Sequence, residues 1–298
     1  MTRKLAALVK HGELNVPVDN ELAGGDPAHM APKDLRVEYS LDGVRKSTTI
    51  PEHDTLALPA SAQPLGAPPT VTFAPGPDGQ AQLLAWAPGK FAFRWASGGK
   101  TRAVCQSLPA PLEISGAWAV SFPPGWAALA NVSLERLGSW TDHTNTGVKY
   151  FSGTATYEKE LDVPPDWLEP TRVLCLDLGA VKNFAEVSLN GKPLGILWKP
   201  PFRVDITAAA RPGKNTLTVK VTNLWPNRLI GDEQLPPDCE WRGKELKSWP
   251  TWLLEGKSSP TGRTTFTTWH HWAKDDALLA SGLLGPVTLR LAETVRPR

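Results

Sequence analysis

The chain has 298 residues, a formal net charge of +2 at pH 7 and 41% hydrophobic residues. This length allows one large or two smaller all-β domains, the hydrophobic fraction argues against wholesale disorder, and the balanced charge excludes an electrostatic nucleic-acid binder. The 29 prolines and 25 glycines predict many turns and few long helices. The 13 tryptophans indicate either a heavy sandwich core or a surface on which sugars stack.

Redox and targeting signals are sparse. Cys105, Cys175 and Cys239 form an odd set that provides neither a disulfide framework nor a CxxC zinc pair. No apolar run approaches membrane-spanning length, so we predict no membrane association. The apolar stretch 5–9 is too short for the core of a signal peptide, so the chain as written predicts no export signal.

Residues 1–59 predict a small αβ segment. An amphipathic pattern at Thr2–Lys10 predicts a short helix, and a short strand is expected at Leu14–Val18. Two alternating runs flank Asp42-Gly43, which is a strong hairpin signal. About sixty residues are few for an independent core, so we expect the segment to dock on another module or to be the remnant of a larger one.

Residues 60–112 predict a Pro/Ala-rich connector followed by short strands that turn dipeptides interrupt. Residues 113–298 show a more uniform pattern of short, often alternating strands separated by Gly, Pro, Asn and Asp, which argues for a β-sandwich of the jelly-roll kind. The fold expected is therefore all-β. The strand candidates of this third segment are 116–122, 131–137, 153–161, 171–179, 184–191, 193–198, 215–223, 264–270 and 285–292.

Three linked motifs carry a resemblance. A V-x-L-N-G hairpin at Val187–Gly191 is followed by F-x-x-D-I-T at Phe202–Thr207 and by P-G-x-N-x-L-x-V-x-V at Pro212–Val221. Together they resemble the galactose-binding-like, sugar-binding jelly roll attached to many glycoside hydrolases. Further strings, among them WPNRLIGD and SGLLGPV, are similar to the C-terminal region of glycoside hydrolase family 106 enzymes, the α-L-rhamnosidase type, over roughly residues 113–293.

This resemblance implies an accessory part of a glycosidase. The catalytic (β/α)8 barrel of such enzymes precedes the similar region, whereas residues 1–112 show no βα repeat and fall below the ~200 residues of a barrel. We therefore expect no activity from this chain alone. The expected role is to bind carbohydrate for, or to support, a catalytic glycosidase domain, upstream or in trans, that acts on rhamnose-containing glycans. The parent enzyme is expected to be periplasmic or secreted, with its export signal in an upstream segment.

The long loop that begins at Asn223 holds the candidate binding residues. A tryptophan ring offers a stacking face for a pyranose, and arginine, asparagine and carboxylate groups offer hydrogen bonds to its hydroxyl pairs. The proposed substrate-binding residues are Trp225, Asn227, Arg228, Asp232, Trp241 and Arg242. The same set suits a contact with a catalytic barrel, and an Arg228–Asp232 pair could merely pin the loop, so both interpretations stand.

Two other functions are alternatives to carbohydrate binding. The first is a glycosidase with a catalytic carboxylate pair in this loop, for which Asp232 and Glu240 are the candidates. The second is an interaction module without sugar affinity. His270 and His271 lie on a predicted strand and would face opposite ways, so no metal site is predicted, although the resemblance leaves room for a structural calcium ion.

Trp198 and Phe202 bracket Lys199-Pro200-Pro201 at the end of a predicted strand. Two prolines prevent further pairing along the ladder. The two rings are therefore expected on a fixed path, where they pack into the core or a neighbouring domain or, alternatively, stack on a sugar. The preceding Asn190-Gly191 is interpreted as a type I′ turn, because both of its central positions need positive φ.

Overall fold

A computed structural model describes residues 2–9, 14–27, 33–41, 44–58, 70–75, 81–94, 98–124 and 130–295. Strands dominate these residues and the helices are short, so the all-β prediction is confirmed. The chain divides into two compact units, Met1–Pro68 and Pro69–Arg298. In the described ranges, no helix combines the length and apolar character that crossing a membrane requires. The predicted turn Asp42-Gly43 and the connector 60–69 lie outside the described residues.

We number the elements in chain order. The α-helices are α1 Thr2–Leu8, α2 Asn20–Ala23, α3 Thr146–Lys149, α4 Pro226–Asp232 and α5 Thr251–Leu254, and single 3-10 turns lie at Trp140–Asp142 and Pro165–Leu168. The strands before residue 150 are β1 Leu14–Pro17, β2 Asp34–Leu41, β3 Val44–Pro51, β4 Thr55–Leu58, β5 Val71–Pro75, β6 Ala81–Ala85, β7 Gly89–Arg94, β8 Lys100–Cys105, β9 Leu112–Glu113, β10 Trp118–Ser121 and β11 Asn131–Leu134. The later strands are β12 Thr154–Val163, β13 Arg172–Asp177, β14 Ala180–Lys182, β15 Phe184–Leu189, β16 Lys192–Leu197, β17 Arg203–Asp205, β18 Gly213–Thr222, β19 Trp241–Arg242, β20 Glu245–Leu246, β21 Gly282–Gly285 and β22 Thr288–Val295.

The first unit holds α1, α2 and two strand pairs, β1 with β4 and β2 with β3. Asp19 caps α2 by accepting a hydrogen bond from the N–H of Leu22. A small apolar core forms around Leu5, Leu22, Ile50 and Leu56. The helix, the first strand and the hairpin strands predicted from the sequence are all present here.

The second unit contains the predicted sandwich. Its first sheet has the order β11-β10-β12-β18-β15-β16, and its second sheet runs β17-β13-β22-β6-β5, with β9 also paired to β22. Because side chains alternate between the faces of a strand, every second residue of β12 and β18 faces the core. Tyr157 and Val219, for instance, are cross-strand partners and are fully buried.

Aromatic rings fill the centre of the sandwich. The Trp140 indole N–H donates to the Tyr157 hydroxyl at 2.6 Å, and the backbone N–H of Leu283 donates to the same oxygen at 3.1 Å. Burial raises the pKa of Tyr157 to about 12, so the phenol stays protonated at neutral pH. Phe122 and Phe151 pack edge-on against Trp140. The tryptophan-rich composition therefore serves the core here.

The hairpin between β15 and β16 has the predicted turn. Leu189 pairs with Lys192, which leaves Asn190 and Gly191 as a two-residue loop with φ of 54° and 77°. These angles confirm the type I′ interpretation. The aromatic rings of Trp198 and Phe202, which follow β16, have different surroundings. Phe202 is 5% exposed and packs in the core, whereas Trp198 is 70% exposed at the surface.

The structure differs from the sequence prediction in three places. Residues 264–270 were expected to form a strand, and this is wrong, because only an isolated bridge from Glu245 to Trp269 forms there. Helix α4 and the short pairs β14–β21 and β19–β20 were not predicted. Strands β5 and β6 extend the second sheet through β22. The division into segments 1–59, 60–112 and 113–298 stays a prediction.

Candidate functional site

A long loop segment leaves the first sheet after β18 and returns at β21; we call residues 223–281 the loop segment. Its two ends are joined side by side. The Ser281 hydroxyl accepts hydrogen bonds from the side-chain amides of Asn223 at 3.0 Å and Asn227 at 2.8 Å. The Asn227 amide also donates to the Leu279 carbonyl, and its oxygen accepts the Leu279 N–H. Asn227 therefore closes the loop segment at its base.

Helix α4 carries a buried ion pair of the loop segment. Arg228 and Asp232 lie four residues apart on one helix face, and Nη2 of the arginine is 2.9 Å from Oδ1 of the aspartate. The second carboxylate oxygen of Asp232 accepts the backbone N–H groups of Thr264 and Thr265 and the Thr265 hydroxyl, at 2.6–3.0 Å. The side chain of Asp232 is only 3% exposed. Asp232 thus ties α4 to residues 264 and 265 on the returning part of the loop segment.

A second chain of contacts leads from the interior to the surface. The Arg263 guanidinium donates to Glu233 Oε1 at 2.8 Å, and Glu233 Oε2 lies 3.1 Å from Nε2 of His270. The His270 ring stacks on the Trp241 indole, with centroids 5.0 Å apart and planes 14° from parallel. His270 thus lies between the Glu233 carboxylate and the half-buried Trp241 ring, and it covers one face of the indole.

Further aromatic rings surround this surface. Trp249 and Trp252 pack against Phe266, and the Trp252 indole N–H donates to the Asp238 carbonyl at 2.9 Å. Trp249 is 57% exposed and Trp269 is 42% exposed. The loop segment therefore presents several indole faces to solvent on a frame that buried polar contacts hold in place.

The candidate catalytic carboxylates have different surroundings. Glu240 is exposed and pairs with Lys247 at 2.6 Å, and this hydrogen bond lowers the pKa of its carboxyl, which favours the ionised form. Asp232 is buried, with Oδ2 accepting three hydrogen bonds from the protein and Oδ1 facing Arg228. The third polar group nearby, the Cys239 thiol, has its pKa raised to about 11, chiefly by burial, so it stays protonated. Glu240 therefore lacks the raised pKa of a general acid, and the Cys239 thiol is not a thiolate nucleophile.

The structure separates the predicted binding residues into two groups. Asn227, Arg228 and Asp232 lie inside the protein with their polar groups directed at other residues of the chain. Trp225, Trp241 and Arg242 reach the surface, and Trp225 is 53% exposed at the start of α4. The sequence did not single out Glu233, Arg263 and His270 as a network that supports Trp241.

Metal binding has little support in the described ranges. No group of three or more histidine, cysteine, aspartate or glutamate side chains comes together there. His270 is half-buried beside Glu233, whereas His271 is exposed and faces Trp269. The two histidines therefore have different neighbours, and no ligand set for the calcium ion considered above can be assigned.

Comparison with known proteins shows which family and which relatives this chain resembles. Residues 140–269 match the family described as glycosyl hydrolase 2 galactose-binding domain-like. A Formosa agariphila protein named "Putative beta-glucuronidase" is 41% identical over 291 residues, which cover 98% of this chain and 24% of that protein. The chain thus spans about a quarter of this relative's length.

Two solved structures are distantly similar to parts of this chain. A rhamnosidase from Novosphingobium sp. PP1Y is 24% identical, with a TM-score of 0.49 over 86% of this chain and 27% of that one. A β-D-glucuronidase from Dictyoglomus thermophilum is 19% identical, with a TM-score of 0.40 over 62% of this chain and 28% of that one. From the match over residues 140–269, the chain contains a galactose-binding-like β-sandwich domain of the kind associated with glycoside hydrolases.

Proposed function

We propose that this chain is a non-catalytic region of a glycoside hydrolase and that its loop segment binds carbohydrate. The observation that carries the proposal is the half-buried Trp241 ring, which is oriented by a parallel stacking contact with His270 on one face. A pre-oriented indole binds a pyranose without the entropy loss of ordering a mobile side chain. Arg242 follows Trp241 directly and is exposed, so its guanidinium is available to sugar hydroxyls.

The predicted site residues then take two roles. Trp241 and Arg242, with Trp225, contact the sugar. Asn227 and Asp232, with the Arg228 partner of Asp232, support these contacts by fixing the loop segment, because they make their hydrogen bonds and their ion pair within the protein. The proposal thus joins both interpretations of the sequence, the loop-pinning pair and the binding surface, in one segment.

The glycan is proposed to contain rhamnose and to be the substrate of a catalytic glycosidase domain that acts with this region. The strings WPNRLIGD and SGLLGPV support this choice through their resemblance to α-L-rhamnosidase-type enzymes. The name of the Formosa agariphila relative adds a glucuronic acid-containing glycan as the alternative ligand. Both classes therefore enter the binding test.

Replacing Trp241 by alanine is expected to abolish oligosaccharide binding with little change in the melting temperature. Binding by the unmodified chain should be weak, with a Kd of about 0.1–1 mM, because a stacked ring and a few hydroxyl hydrogen bonds leave only a few kcal/mol after desolvation and ordering. The measurement is calorimetric titration of rhamnogalacturonan fragments and of glucuronide oligosaccharides, paired with thermal melts. Trp198→Ala is the matched control, because Trp198 is exposed outside the loop segment.

Early melting of Trp241→Ala, combined with no binding of either glycan class by the unmodified chain, would contradict the proposal and favour a structural module. Equal loss of binding in Trp198→Ala and Trp241→Ala would place the glycan elsewhere. Binding of glucuronides alone would keep the binding surface and replace the proposed rhamnose specificity.

A second expectation concerns catalysis. The purified chain should not hydrolyse aryl α-L-rhamnosides or aryl β-D-glucuronides, because Asp232 is buried in protein contacts and the lowered pKa of Glu240 makes it unsuitable as the general acid of a carboxyl pair. The measurement is release of the chromogenic aglycone. Turnover that survives rigorous purification and disappears in Glu240→Gln, with unchanged melting, would establish the rival glycosidase function.

A further inference from the structure

A cavity of about 190 Å³ lies beside β11, the edge strand of the first sheet, and shares no residue with the loop segment. Its floor is apolar. The residues that form the floor are Phe122, Val132, Leu134, Trp140 and Val148. Three of these five, Phe122, Trp140 and Val148, are also members of the sandwich core, so the floor is rigid.

The rim of the cavity is polar, and most of its groups are uncommitted. Arg136 and Asp142 are exposed, and neither side chain forms a hydrogen bond or an ion pair with any described residue. His143 accepts the backbone N–H of Asn145 at Nδ1, at 3.0 Å, which places a proton on Nε2 in the neutral ring. By contrast, Ser139 is already engaged with Thr141 and Ser281.

These groups form a complementary set. Arg136 supplies a planar fork of donors, Asp142 supplies acceptor oxygens, and the free ring nitrogen of His143 supplies one further donor. The guanidinium and the carboxylate balance in charge, which favours a neutral ligand. An anion would meet the Asp142 carboxylate, and a purely apolar ligand would leave the rim groups without partners while displacing their water.

We propose that this cavity is a binding site for a single neutral sugar residue, either free or at the end of a glycan. The apolar floor takes the C–H face of the pyranose, and the rim binds its hydroxyl groups. The volume is below the ~300–1,000 Å³ of pockets for drug-sized ligands, which restricts the site to one ring. The proposal does not depend on sugar binding by the loop segment, because Trp241 is not part of this cavity.

The test uses the full chain and three probes, methyl α-L-rhamnopyranoside, methyl β-D-galactopyranoside and methyl β-D-glucopyranoside. Titration is followed by chemical-shift changes of backbone amides, and at least one probe should bind with a Kd of about 0.1–10 mM. Arg136→Gln and Asp142→Asn should each weaken that binding by about 10-fold or more, because each removes hydrogen bonds that the sugar makes in place of water. Their melting temperatures should not change, since both side chains are exposed.

Arg211→Gln and Asp162→Asn are the matched controls. Both residues are exposed in the second unit, and both lie at the end of β12 and β18 where Val163 pairs with Gly213, whereas the loop segment begins beyond the other end. They should leave the Kd within about 2-fold of the original, and so should Trp241→Ala.

Three results would overturn the proposal. One is the absence of binding for all three probes up to ~50 mM, well above the weakest expected Kd. Another is binding that Arg136→Gln and Asp142→Asn leave unchanged. The third is monosaccharide binding that Trp241→Ala abolishes, which would assign it to the loop segment. If Trp241→Ala loses oligosaccharide binding but keeps monosaccharide binding, the loop segment and the cavity are two separate sites.

Discussion

Replacing Asp232 by alanine is expected to lower the free energy of unfolding by about 3–5 kcal/mol, because it leaves the charge of Arg228 buried without its partner. The Arg228 side chain is 12% exposed, so water cannot replace the carboxylate fully. The backbone N–H groups of Thr264 and Thr265 also lose their acceptor. Denaturant unfolding followed by tryptophan fluorescence measures the change, since the loop segment is rich in tryptophan.

Glu240→Ala is the control for this variant. It removes a carboxylate from the same loop segment, but the ion pair with Lys247 is exposed, so its loss should leave the unfolding midpoint unchanged. A loss of less than about 1 kcal/mol in Asp232→Ala would show that the buried pair does not hold α4 to residues 264 and 265.

Gly282→Ala should lower the free energy of unfolding by about 3 kcal/mol or more. Gly282 has φ of 101°, and a Cβ atom there would lie 2.6 Å from the Trp140 indole nitrogen and 2.7 Å from the Tyr157 hydroxyl. The substitution therefore adds an overpacked core contact to a strained backbone, and each effect alone amounts to about 1–3 kcal/mol. The near-ultraviolet circular dichroism of the core rings should weaken together with the melting temperature.

Gly195→Ala separates the steric effect of the added Cβ atom from the strain of a positive φ. Gly195 has φ of 110°, similar to that of Gly282, but no atom lies within 4 Å of a Cβ placed there. Its variant should show only the backbone effect, so the difference between the two isolates the contact with Trp140 and Tyr157. Equal destabilisation would mean that the core rings move aside freely.

The sandwich could be predicted from the sequence because its strands are specified locally. Alternation along 154–163 and 213–222 marks the buried face of β12 and β18, and Asn190-Gly191 marks a turn that few other dipeptides permit. Residues 264–270 have the composition of a strand, with threonines and aromatic rings. In the structure, Thr264 and Thr265 bind the Asp232 side chain instead of a neighbouring strand. The local sequence pattern does not predict a contact of this kind.

The candidate site was harder to predict, because arginine and aspartate bind sugar hydroxyls and each other equally well. The four-residue spacing of Arg228 and Asp232 was the available signal, and it indicated the pinning pair. Trp241 and His270 are joined by a stacking contact between residues far apart in sequence, which periodicity does not reveal. In the sequence, Arg136 and Asp142 have the pattern of ordinary solvent-exposed residues. Only the structure shows that they line an apolar cavity.

The clamp formed by Asn223, Asn227 and Ser281 has a consequence for how this domain can change over time. It closes the loop segment at its root, so the sandwich meets nearly the same boundary whatever lies between. Since the entropy of closing a loop grows only slowly with its length, the stretch between Asp232 and Thr264 can be shortened or lengthened with little effect on the sandwich. The β-sandwich is thus a scaffold whose core does not depend on the length of the loop that it carries.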